Sequence, residues 1–239
     1  MSSGHIREAK QGVRERVWSL LDRERVAPGG GSGRIPAFEG AEAAASHLDE
    51  LDFWRAAGVV KAVPDRAQLP VRAKALEQNK RVYMASPRLA SELPFFLLDP
   101  YDLGAPPRDV AERHVAVRHG RPVDLSGMLP VDVVVCGSVA VNRQGVRLGK
   151  GAGYSDIEIA LLQEAGLIDA KTPIVTTVHE LQVIDEELPE DAHDFRVDFI
   201  VTPERVIECP PSRRPSGVLW ESLDDQMVDA IPALAKRRA

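Results

Sequence analysis

Apolar residues recur in two patterns along this chain, and each pattern predicts one kind of secondary structure. Apolar positions three and four residues apart over residues 6–26 predict an amphipathic helix. Short, nearly unbroken apolar runs bounded by proline, glycine or aspartate predict strands at 58–63, 81–85, 95–98, 131–136, 173–178 and 197–201. Further helices are predicted over 38–57 (as one helix or two), 71–78, 156–164 and 227–235.

Strands and helices alternate through these predicted elements. Such alternation is typical of an α/β fold with a mostly parallel central sheet and helices on both faces. The run 131–136 is rich in β-branched residues, as expected of a central strand that is buried on both faces. Ligands of such sheets bind at the carboxyl ends of the strands, so we expect the functional site at that edge.

Composition narrows the class of protein. The 239 residues carry a net charge of −6, and 44% of them are hydrophobic and 28% charged. These fractions are typical of a globular protein, and the acidic balance argues against a surface that binds nucleic acid. No apolar run reaches the length that spans a membrane, and the N-terminus is polar. With only two cysteines, Cys136 and Cys209, we expect a cytoplasmic protein with free thiols.

The segment with the most distinctive chemistry is Arg147-Leu148-Gly149-Lys150-Gly151-Ala152-Gly153-Tyr154-Ser155-Asp156, which precedes a predicted helix. Glycines at alternate positions allow positive φ angles, so that successive N–H groups can converge on one anion. The N-terminus of the following helix and two cations would add to that field, as in a polyphosphate cradle. The spacing matches neither a Walker A loop nor the dinucleotide fingerprint. Taken alone, the segment is equally consistent with a tight turn.

A second pair of cations lies on the first predicted helix. Lys10 and Arg14 are one turn apart, so both side chains project from one edge of that helix. Two interpretations are open: the pair belongs to a solvated face, or it supplies charge to an anion site.

Taken in order, these pieces resemble the 5-formyltetrahydrofolate cyclo-ligase (methenyltetrahydrofolate synthetase) family. The segment 147–156 looks like that family's Arg-Leu-Gly-Arg/Lys-Gly-Gly-Gly-Tyr-Tyr-Asp-Arg signature, and Lys10 and Arg14 match its Lys-x-x-x-Arg. The resemblance runs from Lys10 to Thr202 and includes the closing residues Gln182, Pro189, His193, Asp194 and Asp198. It implies a Rossmann-like, three-layer α/β fold. We predict one cyclo-ligase-like domain over 1–209 and a C-terminal extension with a short helix over 210–239.

The resemblance also implies a reaction and its cofactors, ATP and Mg²⁺. In the family, the formyl oxygen of 5-formyltetrahydrofolate attacks the γ-phosphate of ATP, and ring closure then gives 5,10-methenyltetrahydrofolate. We predict Lys150, Tyr154 and Asp156 as catalytic residues, with Asp156 as the magnesium ligand. The predicted nucleotide-binding residues are Lys10, Arg14, Arg147, Gly149, Lys150, Gly151, Ala152, Gly153 and Tyr154.

Several positions depart from the family pattern. Ser155 replaces the second tyrosine of the signature, and Ile157 replaces its last arginine. On the folate side, counting places Asp65 and Gln68 where the family has glutamate and threonine, so Asp65, Gln68 and Ser155 are the predicted substrate-binding residues. The stretch from Arg34 through 38–57 also differs from ordinary cyclo-ligases. These features resemble the divergent, cyclo-ligase-like branch, some members of which are connected with thiamine metabolism.

Three functional hypotheses follow from this comparison. The first is an ATP-dependent cyclo-ligase that acts on 5-formyltetrahydrofolate. The second is a related enzyme acting on another small molecule, with thiamine-related compounds as the leading candidates. The third is a nucleotide-binding protein without turnover. The partner in the first two is a small molecule, and the sequence does not indicate an oligomeric state.

Overall fold

The protein is built on an eight-stranded mixed sheet. The structure, a computed structural model, describes residues 3–211 and 214–238. The strands are β1 Val59–Ala62, β2 Arg81–Ala85, β3 Phe95–Leu98, β4 Arg121–Val123, β5 Val133–Cys136, β6 Ala140–Val141, β7 Arg147–Leu148, β8 Ile174–Thr177, β9 Phe199–Val201 and β10 Val206–Glu208. The main sheet has the order β10-β9-β8-β5-β1-β2-β3-β4, and β6 and β7 form a separate antiparallel hairpin.

The helices lie between the strands and after the last one. They are α1 Ser3–Arg23, α2 Ala41–His47, α3 Asp52–Ala56, α4 Leu69–Glu77, α5 Pro107–Val110, α6 Arg113–His119, α7 Tyr154–Glu164, α8 Asp225–Ala230 and α9 Pro232–Arg238. Single 3₁₀ turns occur at Leu48–Glu50, Arg66–Gln68, Pro87–Leu89, Leu125–Gly127, Glu180–Gln182 and Trp220–Ser222. None of the helices described is both long and apolar enough to cross a membrane.

Two apolar cores, one on each face of the sheet, hold the three layers together. Successive residues of a strand point to opposite faces. Accordingly, Val133 and Val135 of β5 belong to the core beneath α1 to α6, whereas Val134 and Cys136 belong to the core beneath α7 to α9. All four are at most 1% exposed. The predicted α/β fold with helices on both faces is therefore confirmed.

The parallel strands place one edge of the sheet where a ligand can bind. Strands β2, β1, β5, β8 and β9 run parallel in that spatial order, so their carboxyl ends share an edge. The chain goes from β1 to β2 on one side and later returns through β5 on the other side. The gap between β1 and β5 is thus the point where strand order reverses, which is the usual ligand position in such sheets.

The structure corrects several details of the predicted elements. The strand predicted at 95–98 is present, but it pairs antiparallel with β2. The strands β4, β6, β7 and β10 escaped prediction because each has only two or three residues. The helix predicted at 227–235 is two helices, since Pro232 lacks the N–H needed to continue the first. The strand predicted from 131 begins at Val133, and the Asp132 carboxylate instead accepts hydrogen bonds from the N–H groups of Gly58 and Val59.

The C-terminal segment packs on the second core. Val228, Ile231 and Leu234 are at most 2% exposed within that core. The Glu164 carboxylate at the end of α7 accepts from the Val218 N–H at 2.9 Å and from the Arg237 guanidinium at 2.9 Å. The helix that follows the glycine segment is therefore fixed at its far end by residues after 210.

Candidate active site

The glycine segment connects the β6–β7 hairpin to the first turn of α7. Gly151 and Gly153 have φ angles of +99° and +73°, a region that L side chains rarely adopt. Gly153 directly precedes α7, and the N–H groups of Asp156 and Ile157 both donate to its carbonyl oxygen at 3.2 Å. The N–H groups of Tyr154 and Ser155 have no backbone partner among residues 3–211 and 214–238. The segment at 149–153 is therefore a loop at the positive end of an eleven-residue helix.

Arg14 lies directly against this loop. Its Nε donates to the Gly149 carbonyl oxygen at 2.7 Å. A Cβ atom added to Gly151 would lie 3.3 Å from Cζ and Nη1 of Arg14, so a glycine at this position leaves room for the guanidinium. Burial lowers the pKa of Arg14, with the nearby Asp194 carboxylate opposing that effect. The guanidinium still remains charged at neutral pH.

Lys10 lies one helical turn from Arg14 and is held by two carboxylates. Its Nζ lies 2.8 Å from Asp191 Oδ2 and 2.5 Å from Asp194 Oδ2. Lys10 and Arg14 are each 7% exposed. The solvated-face interpretation of this pair is therefore wrong.

Arg147 and Asp156 form an ion pair beneath the loop. Arg147 Nη2 donates to Asp156 Oδ1 at 3.0 Å, and Nη1 donates to the Gly137 carbonyl oxygen at 3.4 Å. The guanidinium carbon lies 3.9 Å from the centre of the Phe195 ring, a cation–π contact. Burial raises the pKa of Asp156, and the Arg147 charge opposes this shift. Asp156 is thus held within the site by Arg147.

The remaining predicted residues of the segment lie on the loop or on the first turn of α7. Lys150 is exposed, and its side chain has no hydrogen-bond or ion-pair partner among residues 3–211 and 214–238. Ala152, Tyr154 and Ser155 are partly exposed. Tyr154 packs against the second core. Lys150 is therefore free to meet an incoming anion.

Asp65 and Gln68 follow β1 at the carboxyl edge of the sheet. The Gln68 Nε2 donates to the carbonyl oxygen and to Oγ1 of Thr177, each at 3.1 Å, at the end of β8. Burial raises the pKa of Asp65, and the largest opposing influence is the charge of Lys150. Gly137 connects the two sides of the site, since its carbonyl oxygen accepts from Arg147 Nη1 at 3.4 Å and a Cβ atom built on it would lie 3.2 Å from Gln68 Oε1.

Two buried cations near the site were absent from the sequence prediction. Lys61 on β1 pairs with Glu158 on α7 at 2.6 Å, and their side chains are 1% and 5% exposed. Arg72 on α4 donates to the carbonyl oxygens of Val63 and Asp65 at 2.5 and 3.0 Å. A lysine inside the apolar run 58–63 was a visible signal, but nothing in the sequence identified its partner.

The donor set fits ATP and Mg²⁺. A Cβ atom built on Gly153 would meet no atom within 4 Å, which leaves room for a phosphate at the start of α7, and Arg14 lies against the same loop. Mg²⁺ prefers one or two carboxylates together with phosphate oxygens and water, and Asp156 offers one carboxylate beside the loop. No cluster of three or more acidic, histidine or cysteine residues in the described part of the chain could hold a metal alone.

Comparison with known proteins identifies a family and several relatives. A sequence model of the 5-formyltetrahydrofolate cyclo-ligase family matches residues 6–203. Methenyltetrahydrofolate synthase domain-containing protein from Mus musculus is 38% identical in an alignment of 242 positions that covers 96% of this chain and 63% of that protein. The Homo sapiens protein of that name is 36% identical over 97% of this chain and 62% of its own length. The chain thus spans less than two thirds of the length of these relatives.

A solved structure shows the same fold. The 5,10-methenyltetrahydrofolate synthetase of Aquifex aeolicus superimposes with a TM-score of 0.53 and 23% identity, over 86% of this chain and 93% of that one. At that identity the likeness concerns the fold alone. The family match covers most of the chain, and the mouse and human relatives align over nearly all of it. This chain belongs to the 5-formyltetrahydrofolate cyclo-ligase family.

Proposed function

We propose that this chain is an ATP- and Mg²⁺-dependent ligase that converts 5-formyltetrahydrofolate to 5,10-methenyltetrahydrofolate. The observation that carries the proposal is the docking of Arg14 on the glycine loop, with Nε 2.7 Å from the Gly149 carbonyl oxygen. This contact places a buried guanidinium beside the loop N–H groups and the free Lys150. The family match and the names of the relatives support the same reaction class.

In the proposed reaction, the protein works mainly by positioning and charge neutralisation. The formyl oxygen forms a bond to the γ-phosphorus while the bond from that phosphorus to the β,γ-bridging oxygen breaks and ADP leaves. The second folate nitrogen then attacks the activated carbon, and inorganic phosphate departs. Amide oxygens are weak nucleophiles, so the barrier must fall through alignment and stabilisation of phosphate charge. Arg14, Lys150 and the loop N–H groups supply that charge, and Tyr154 lies at the start of α7 beside them.

Asp156 is the residue we propose to hold Mg²⁺, which would neutralise charge on the β- and γ-phosphates. One of its oxygens accepts from Arg147, which orients the carboxylate at the base of the loop. Because burial raises its pKa, Asp156 without a bound cation is a weaker acid than an ordinary aspartic acid. A bound cation would favour its ionised form.

A second candidate function differs in the acceptor only. The Gln68 amide nitrogen donates both of its hydrogen bonds to Thr177, and Asp65 is a half-buried carboxyl with a raised pKa. This altered acceptor side favours a substrate other than 5-formyltetrahydrofolate, with thiamine-related compounds as the first candidates. The phosphoryl transfer would be the same.

A single set of incubations distinguishes these functions. The purified chain is incubated with ATP, Mg²⁺ and either 5-formyltetrahydrofolate or a thiamine intermediate, and both phosphate release and methenyl absorbance are followed. We expect phosphate and methenyl product to form together with folate. Phosphate release only with a thiamine intermediate would establish the second function, and no release with any acceptor would contradict both.

The matched variants test the site itself. Lys150→Ala should lose about two orders of magnitude in kcat/KM, because it removes a phosphate-stabilising charge. Lys171→Ala is the control, since Lys171 is also exposed but precedes β8 at the opposite edge of the sheet. Equal activity of the two variants would remove Lys150 from the proposed mechanism.

A further inference from the structure

The segment 31–39, which we call the strap, crosses the carboxyl edge of the sheet between α1 and α2. Ile35 and Phe38 are buried, at 8% and 5% exposure, although the strap has no regular secondary structure. Ile35 lies over Gly137 at the end of β5, and the Phe38 ring lies edge-on to the His179 ring with centroids 6.5 Å apart. The strap therefore covers the ends of two neighbouring strands at the edge where the site lies.

Ile35 and the Gln68 side chain both approach Gly137. A Cβ atom added to Gly137 would lie 2.9 Å from Ile35 Cγ2 and 3.2 Å from Gln68 Oε1. The three residues thus converge beside the gap between β1 and β5. In a sheet of this topology, that gap is where a ligand is expected.

Gln68 carries a polar atom without a partner beneath the strap. Its side chain is fully buried, and its Nε2 is fixed by Thr177. Its Oε1 has no hydrogen-bond partner within residues 3–211 and 214–238. A buried acceptor left unpaired is destabilising, and such a group calls for a specific explanation. We take that explanation to be a ligand N–H that reaches Oε1 once Ile35 has moved away.

The ends of the strap are built to allow such movement. Two glycines precede the strap, Gly29 with a φ angle of +86° and Gly30 with +80°, and Gly33 within it has a φ angle of +70°. A Cβ atom built on any of these glycines would have no heavy atom within 4 Å. Gly40 ends the strap with a φ angle of +82°. Hinges are residues whose φ and ψ can change, and glycine resists such changes least.

Few bonds hold the strap in its closed position. The Trp18 Nε1 donates to the Arg34 carbonyl oxygen at 3.0 Å, and the Gly31 N–H donates to Asp22 Oδ1 at 3.0 Å. The Glu39 N–H donates to the Val26 carbonyl oxygen at 2.9 Å. The buried side chains of Ile35 and Phe38 supply apolar contact with the first core.

We propose that Ile35 controls access of the acceptor: the strap opens at its glycines, and the acceptor then donates an N–H group to Gln68 Oε1 in the place Ile35 had occupied. This inference rests on the proposed function in that it assigns the acceptor to this edge of the sheet. It restricts the acceptor to compounds that carry an N–H donor. Ile35 is thereby a residue that determines which acceptors enter.

Hydrogen exchange on the full chain tests the opening without any ligand. Ile35→Ala should speed exchange of the Arg34 and Glu39 amides at least about tenfold, because an Ile→Ala change removes much of the buried contact. Ile168→Ala is the matched control, since Ile168 is 4% exposed in the core on the other face. The proposal would be overturned if the strap amides exchange no faster in Ile35→Ala than in Ile168→Ala. This test does not depend on the proposed function, because it can be made on a chain that turns over no acceptor.

Kinetics test the link to the acceptor. The apparent affinity for a ligand falls with the fraction of protein in the binding-competent state, so Ile35→Ala should lower the acceptor KM several-fold and leave the ATP KM unchanged. Trp18→Phe, which removes one strap bond, should act in the same direction to a smaller extent. The decrease in the acceptor KM should vanish in the double variant that combines Ile35→Ala with Gln68→Met. An acceptor KM that rises or stays constant in Ile35→Ala would refute the proposal. ATP binding to the same variant is measured separately and shows whether the nucleotide site is intact.

Discussion

The buried ion pair between Lys61 and Glu158 offers the sharpest test of how this site is held together. It joins the central strand β1 to the second turn of α7, directly behind the glycine loop, across 2.6 Å. Both side chains are almost inaccessible to water. The perturbations are Lys61→Met, Glu158→Leu and the double variant, which replace charged groups by apolar groups of similar volume.

The expected magnitudes follow from burial. Each single variant leaves one charge buried without its partner, which costs about 3–5 kcal/mol of the free energy of unfolding. For a chain of this length, that loss lowers Tm by roughly 6–20 °C. The double variant should unfold within about 1 kcal/mol of wild type or above it, because apolar replacement of a whole buried pair is often neutral or stabilising.

The pH dependence separates the two single variants. Burial raises the pKa of Glu158, and Lys61 opposes that rise. In Lys61→Met the folded-state pKa of Glu158 should be raised further, because the opposing charge is gone. The destabilisation of Lys61→Met should therefore be largest above the folded-state pKa of Glu158 and shrink as pH falls through it. Glu158→Leu has no such group and should not recover at low pH.

Urea denaturation of the four proteins at several pH values measures these effects. Arg81→Met is the control, because Arg81 pairs with Asp99 at 3.0 Å but is 39% exposed, so that pair should contribute less than about 1 kcal/mol. A double variant as unstable as the two single variants combined would refute the reasoning, since the loss would then come from packing and not from an unpaired charge.

Three further predictions concern other parts of the chain. Gly151→Ala should weaken ATP binding at least about tenfold by isothermal titration, because its φ of +99° and the Arg14 guanidinium 3.3 Å away both oppose a Cβ. Asp65→Asn should raise Tm at neutral pH, since the folded-state pKa of Asp65 is raised and its charged form is disfavoured; this gain should disappear as pH falls through that pKa. Cys136 and Cys209 should resist maleimide labelling until the chain unfolds, because burial raises both thiol pKa values, that of Cys209 to about 11.

The fold was predictable from the sequence where local pattern and tertiary position agree. The run at 131–136 is apolar and β-branched because β5 is buried on both faces, and the structure confirms it as a central parallel strand. Edge strands gave weaker signals. Arg121–Val123 has three residues, one of them proline, and its pairing with β3 depends on contacts that local sequence does not encode.

The long-range contacts of the site set a second limit on prediction. Spacing on one helix indicated that Lys10 and Arg14 lie on one edge, but it did not show that Asp191 and Asp194 bind Lys10. The partner of Lys61 was equally hidden, since Glu158 lies in an amphipathic helix where a glutamate is ordinary. Side-chain partners from distant parts of the chain become apparent only once the strand order is known.

The two halves of the site differ in what their chemistry depends on. The proposed phosphate half combines the Arg14 and Lys150 charges with backbone features: positive φ at Gly151 and Gly153, and the N–H groups of Tyr154 and Ser155 at the start of α7. We expect such a loop to tolerate Ser155 and Ile157 in place of the family's residues, because main-chain groups would meet part of the phosphate. The proposed acceptor half depends on the side chains of Gln68 and Ile35, so we expect single substitutions there to change which molecule fits. Resemblance to the family is therefore stronger support for the phosphoryl donor than for the acceptor.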